Sequence, residues 1–205
     1  MKIALINENS QAAKNAVIEE ALKKVVEPMG HTVYNYGKIG RASNGILAAV
    51  LLNGGAVDYV ITGCGTGEGA MLALNSFPGV ICGHVADPLD AYTFAQINDG
   101  NAISMPFALK NGWGNELNLQ YTFEKLFCEE SGKGYPKDRV VPEQRNKKIL
   151  DVVRENNFKS FPELLDGLDA DLVKGALAGE HFQELFFENA TNEVVIAKVK
   201  EILGL

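Results

Sequence analysis

The stretch Val60-Ile61-Thr62-Gly63-Cys64-Gly65-Thr66-Gly67-Glu68-Gly69-Ala70-Met71 decides how this chain folds. Its opening residues close an apolar strand expected over residues 58–62, and an apolar helical run follows through Asn75. Between the two, Gly63, Gly65, Gly67 and Gly69 alternate with Cys64, Thr66 and Glu68. Such a composition lets the backbone turn sharply and come close to a ligand. The helix behind it aims unsatisfied N–H groups and the positive end of its dipole back at the turn. Cys64 sits in the middle of that anion-friendly concavity, so the stretch reads as a site.

The same alternation extends in both directions. Residues 2–6 form an apolar strand ending in the polar run Asn7-Glu8-Asn9-Ser10. Ser10 is placed to cap a helix in which Val17, Ala21, Leu22, Val25 and Val26 keep helical spacing. Pro28 and Gly30 stop that helix, and residues 31–36 make a second strand. Residues 37–43 read as a basic loop whose Lys38 and Arg41 are ligand contacts or a solvated face, the second being the plainer reading. A helix opened by Ser43 or Asn44 follows, and Asn53-Gly54-Gly55 ends it. Past the central turn, residues 80–85 form a fourth strand leading to Asp87-Pro88, an N-cap with proline at the first helical position. That helix runs to Gln96, and Asn98-Asp99-Gly100-Asn101 turns into a fifth strand over residues 102–105.

Strands alternating with helices predict an α/β fold: a parallel five-stranded sheet flanked by helices on both faces. Ligands of such sheets sit outside the carboxyl ends of the strands. This places residues 7–9, 63–69 and 84–87 along one edge. Asn98 and Asp99 precede their strand and reach that edge only if the helix before them carries them there. After Pro106 the pattern becomes helical, with helices expected over residues 113–129 and 142–155 and two or three more over residues 161–205. The expected organisation is an α/β domain over residues 1–150 and a C-terminal helical extension over residues 151–205, suited to a dimer contact or a lid.

Composition narrows the function. The 205 residues are 46% hydrophobic and 22% charged, ordinary for a globular domain with a sizeable core. A formal charge of −7 argues against nucleic acid or an anionic membrane surface as partner, since both attract basic patches. The N-terminal apolar run is too short for a signal peptide, and three cysteines without metal spacing suit reduced thiols in the cytoplasm.

Several chemistries compete for Cys64. A helix N-terminus favours the thiolate, although a small residue filling a tight turn is the plainer reading. As a nucleophile, Cys64 would need a histidine, and of His31, His84 and His181 only His84 approaches the expected edge. Gly65 to Ala70 partly matches a dinucleotide fingerprint with Asp87 about 20 residues on, but that fingerprint normally follows the first strand. Proton transfer beside a carbonyl needs a base over the carbon and donors at the oxygen. Cys64 supplies the base; the N–H groups of residues 65–69 and the Thr66 hydroxyl supply the donors, and this chemistry requires no metal or cofactor. A non-catalytic sugar-phosphate or nucleotide binder would keep the glycine turn without needing the thiol. Glu68 reads as a solvated charge at the helix start, or as a second acid for proton shuttling.

The order of motifs resembles a known family. The strand-Gly-Cys-Gly-Thr-Gly-x-Gly-helix unit, then Asn75-x-x-Pro78-Gly79, Asp87-Pro88 and Asn98-Asp99-x-Asn101, is similar to ribose-5-phosphate isomerase B and galactose-6-phosphate isomerase, the RpiB/LacAB family, over roughly residues 1–150. The resemblance implies a Rossmann-like sheet, a homodimer or tetramer of dimers, and metal-free aldose–ketose isomerisation of a sugar phosphate or sugar acid. It implies that Cys64 moves the C2 proton with Thr66 beside it, that Gly65, Gly67, Glu68 and Gly69 lie in the enediolate-binding loop, and that Asn98 contacts substrate. The chain departs from the family at three places. Glu8-Asn9 replaces Asp-His after the first strand, Ile97 replaces the ring-opening histidine, and residues 107–110 lack a phosphate-binding arginine. Arg139 and Arg145 correspond to basic residues contributed across the dimer. An open-chain sugar acid, its carboxylate paired with one of these arginines, fits the departures. The Glu8-Asn9 pair and the long tail resemble the family branch of 4-deoxy-L-threo-5-hexosulose-uronate ketol-isomerases.

Overall fold

The computed structural model describes residues 1–109, 112–179 and 181–205, and the backbone alone at 38, 39, 41 and 42. Five strands form one parallel sheet: β1 (Lys2–Glu8), β2 (Thr32–Ile39), β3 (Tyr59–Cys64), β4 (Cys82–His84) and β5 (Ala102–Pro106), in the order β2-β1-β3-β5-β4. β1 and β3 are buried on both faces and correspondingly read as near-continuous apolar runs. On one face lie α1 (Asn15–Val26), α4 (Pro88–Thr93) and α5 (Asn115–Phe127), closing a core around Ile3, Leu5, Leu22, Ile61, Ile103 and Phe123. On the other lie α2 (Arg41–Asn53) and α3 (Glu68–Asn75), over Ala4, Ile6, Val60 and Ala102. The chain leaves β1 towards β2 and leaves β3 towards β5 and β4. The strand order therefore reverses between β1 and β3, and the crevice outside their carboxyl ends is the switch point where sheets of this kind bind ligands.

The tail explains a feature of α2. Ile46, Leu47, Ala48, Ala49, Val50 and Leu51 are all buried, so this run of the helix has no solvent face. The sheet covers one side. On the other lie α7 (Phe161–Asp166), α8 (Ala170–Leu177), α9 (Phe182–Asn189) and α10 (Glu193–Leu203), whose Phe161, Ala176, Leu177, Phe186 and Val199 join the same core. Lys2 ties the first strand to this layer through the carbonyl of Asn189, at 2.9 Å. Preceding it, α6 (Val140–Asn157) runs unbroken through residue 150 and buries none of its 18 residues.

The elements differ from the sequence expectation in places. The Ser10 hydroxyl bonds the Glu8 carboxylate instead of capping a helix, and residues 9–14 form a 3-10 turn ahead of α1. The expected loop over residues 37–43 shrinks to Gly40, because β2 continues to Ile39 and α2 begins at Arg41. The side chains of Lys38 and Arg41 lie outside the described residues. β4 keeps only three residues, since side chains take over its backbone pairing: Asn75 bonds both the N–H and the carbonyl of Cys82, at 3.0 and 2.8 Å, and Asn101 takes the N–H of Ile81.

Candidate active site

The glycine turn at the switch point is held by its carbonyls. The N–H of Phe107 donates to the Cys64 carbonyl at 2.9 Å, and that of Ala108 donates to Gly65 at 3.0 Å. His84 donates from Nε2 to the Thr66 carbonyl at 2.9 Å, an acceptor that fixes the proton on that nitrogen. Ser104 donates from its hydroxyl to the Gly67 carbonyl at 2.6 Å. Four consecutive carbonyls are thus drawn towards β4, β5 and the segment after it, and the N–H groups are free to face the thiol.

Two glycines are required by this geometry. Gly67 caps α3 in the left-handed region at φ 82°, and a Cβ there would stand 2.7 Å from His84 Nε2. A Cβ on Gly63 would stand 2.3 Å from the Met105 carbonyl oxygen.

Cys64 is 3% exposed. Burial alone would push its thiol up, but N–H groups of Ala70, Gly67 and Thr66 and the Thr66 hydroxyl all favour the thiolate and together hold it below the ordinary thiol value. Asn7 pairs with Gly63 in the sheet register, so the next residues along each strand, Glu8 and Cys64, end neighbouring strands on the same face. Glu8 is buried, with the Ser10 hydroxyl on its carboxylate. Asn7 is fully buried, donates to the Gln11 carbonyl at 3.0 Å, and leaves its Oδ1 without a partner among the described residues. Thr66 and Glu68 are exposed at the mouth, while Asn9 opens the adjoining 3-10 turn.

The structure brings together Glu8, Asn9, Cys64, Gly65, Thr66, Gly67, Glu68 and Gly69. It places the rest elsewhere in the chain. Asn98 is exposed at the end of a π-turn (Phe94–Asn98), at the amino edge of the sheet. The helix after β4 runs back down the sheet, so within one chain it carries Asn98 away from Cys64. Arg139 stands before α6 and Arg145 within it, both exposed. That helix is anchored at the amino edge, with Arg154 bonded to the Val80 carbonyl and Gln144 to Gly132.

Two other readings lose support here. His84 is committed to the Thr66 carbonyl, so the described histidines offer Cys64 no nucleophile-activating partner. Asp87 caps α4 by accepting from the N–H groups of Leu89 and Asp90 at 3.0 and 3.1 Å, which occupies the carboxylate a dinucleotide ribose would need. Among the described residues no group of three or more His, Cys, Asp or Glu could hold a metal ion, and no helix is long and apolar enough to cross a membrane. Sequence reasoning passed over Gln11, Lys14 and Ser104 as parts of the site's frame and weighed His84 only as a nucleophile's partner. A Gln-x-x-Lys spacing beside a polar strand end was the available signal for the first two.

The sequence pattern described as ribose/galactose isomerase matches residues 3–141. The chain belongs to this family. It is accordingly an aldose–ketose isomerase with the family's α/β fold. A second pattern, described as ribose-5-phosphate isomerase, matches residues 158–202 in the helical tail. A solved 4-deoxy-L-threo-5-hexosulose-uronate ketol-isomerase, complexed with a tartrate, is 53% identical over 100% of both chains, with a TM-score of 0.98. A ribose-5-phosphate isomerase from Vibrio parahaemolyticus is 45% identical over 98% of this chain and 99% of its own, with a TM-score of 0.95. The type B ribose 5-phosphate isomerase of Trypanosoma brucei, 15% identical over 74% of this chain and 97% of its own, shares the fold at a TM-score of 0.63. Comparison with curated proteins gave no match.

Proposed function

We propose that this isomerase acts on an open-chain keto-uronate, in the cytoplasm, through a site completed by a second copy of the chain. Cys64, as thiolate, removes the proton from the hydroxyl-bearing carbon beside the carbonyl and returns it to the neighbouring carbon, while the hydroxyl proton moves to the former carbonyl oxygen. The enediolate between these steps is met by the N–H groups of Glu68 and Gly69, which the first turn of α3 leaves without intrahelical acceptors, while the Thr66 hydroxyl bonds the sulfur. Glu8 and Asn9 line the same crevice and orient the sugar hydroxyls.

The observation that carries the reading is a thiol held low by converging donors at a switch-point crevice. The sugar-acid substrate is supported by the relative at 53% identity, a uronate ketol-isomerase whose structure holds tartrate, an open-chain hydroxy acid. Ile97 occupies the position expected of a ring-opening histidine, and an open-chain substrate needs none. The second copy is supported by exposure. Asn98, Arg139 and Arg145 reach a substrate only from another chain, and α6 presents Val141, Ile149, Leu150, Val152 and Val153 to solvent alongside them. On this reading Arg139 or Arg145 of that copy meets the substrate carboxylate.

The test is turnover of ribose 5-phosphate and the keto-uronate side by side, with native protein and Cys64→Ser. Turnover of the uronate alone, lost with the thiol, is expected. Turnover of the phosphate instead would return the substrate to the activity named for the relative at 45% identity.

A further inference from the structure

A polar chain borders the crevice that the glycine turn does not account for. Lys14, half-buried at the end of the 3-10 turn, donates from its ammonium to Gln11 Oε1 at 2.9 Å and to the carbonyl of Phe107. Gln11 donates from Nε2 to the Ser10 hydroxyl oxygen at 3.4 Å, and Ser10 donates to the Glu8 carboxylate. The Phe107 segment is the one whose N–H groups hold the Cys64 and Gly65 carbonyls. A Cβ built on Gly65 would stand 3.9 Å from Gln11 Nε2, so the amide that holds Lys14 lies against the turn itself.

The charge of this lysine is unanswered. Among the described residues it makes no ion pair, and both of its partners are neutral oxygens. An ammonium carries three N–H donors, and these two bonds use two of them. A half-buried cation with a spare donor and no counter-ion, fixed beside a ligand crevice, favours an anion. The buried Glu8 carboxylate does not serve, because Ser10 and Gln11 stand between it and Lys14.

We propose that Lys14 binds the carboxylate of the substrate from within the chain, with Gln11 and the Phe107 carbonyl fixing where the ammonium stands. It determines specificity for an acidic substrate beside any arginine a second copy brings. The assignment rests on the sugar-acid reading for its substrate class, but the anion site itself does not.

Tartrate binding by calorimetry tests the site without turnover, and KM against kcat on the keto-uronate tests its use. Lys14→Met should weaken tartrate and raise KM about tenfold or more, the worth of one charge-assisted hydrogen bond, with kcat within about threefold. Lys14→Arg should keep most of both. Lys14→Met that binds tartrate as the native protein does, or that lowers kcat with KM unmoved, would reduce Lys14 to a latch on the Phe107 segment and overturn the proposal. A native protein that fails to bind tartrate would overturn it as well. A native protein that turns over no keto-uronate yet binds tartrate through Lys14 would sink the substrate reading and leave the anion site standing.

Discussion

The two edges of the sheet differ in how complete they are. At the carboxyl edge, Cys64 and Glu8 are buried, the turn's carbonyls are bonded one after another, and N–H groups converge on the sulfur. At the amino edge, Asn98, Arg139 and Arg145 stand in solvent beside an 18-residue helix with no buried residue. The first edge contains what proton transfer needs, while the second carries the polar residues expected to hold the substrate but gives them nothing in the same chain to act on. On the proposed reading, the proton-transfer residues stand at one end of this fold and Asn98, Arg139 and Arg145 at the other, so that a working site would draw its second end from another copy of the chain.

The largest effect should come from the carboxyl edge. Cys64→Ala should lower turnover by about 10²–10⁴-fold, the range for a lost general base, with the far-ultraviolet spectrum and melting profile close to native. Retained turnover would move the base elsewhere. The amino edge is tested by mixing. Cys64→Ala chains and Asn98→Ala/Arg145→Ala chains, each inactive alone, should recover about a quarter of native activity when unfolded and refolded together, since half the dimers are mixed and each holds one intact site. No recovery would confine the site to one chain and break the comparison.

Much of the first edge was legible from local chemistry. Alternating glycines around Cys64 demand a turn at a strand end, and the strand–helix alternation places that turn at the carboxyl edge. The run from Ile46 to Leu51 was legible as part of a helix, but only the structure shows that it is buried all round and that the tail supplies the cover. Asn98 was harder: its position before β5 fixed it to the amino edge unless the helix broke that rule, and the helix did not. Lys14 and His84 could not be assigned, because a lysine on a turn and a histidine in a short strand take their meaning from distant carbonyls, those of Phe107 and Thr66.

Gly67→Ala sharpens the comparison further. A Cβ at φ 82° and 2.7 Å from His84 Nε2 strains the backbone and displaces the histidine that holds the Thr66 carbonyl. A loss of about 1–3 kcal/mol in urea unfolding is expected, together with lower turnover. The same change at Gly112, at the start of the α5 lead-in and with no atom of the described residues within 4 Å of its Cβ, should leave both close to native.

The smallest effect is the most diagnostic of how the thiol is tuned. Thr66→Val removes one hydroxyl that favours the Cys64 thiolate and leaves the backbone donors in place. A general base works deprotonated, so kcat/KM rises with pH through the free-enzyme thiol ionisation and levels above it. Losing the hydroxyl raises that ionisation, and the acid limb moves to higher pH. The deficit should be about threefold to tenfold on the limb and should vanish once pH exceeds both ionisations. Stability follows the same sign. A thiol lower in the folded chain than in the unfolded one stabilises the fold above the unfolded thiol value, and that contribution is lost as pH falls through the folded one. Thr66→Val should therefore cost stability at high pH and nothing at low pH, the reverse of its effect on rate. A deficit in kcat/KM that stayed constant across pH would mean that Thr66 touches the substrate and not the sulfur.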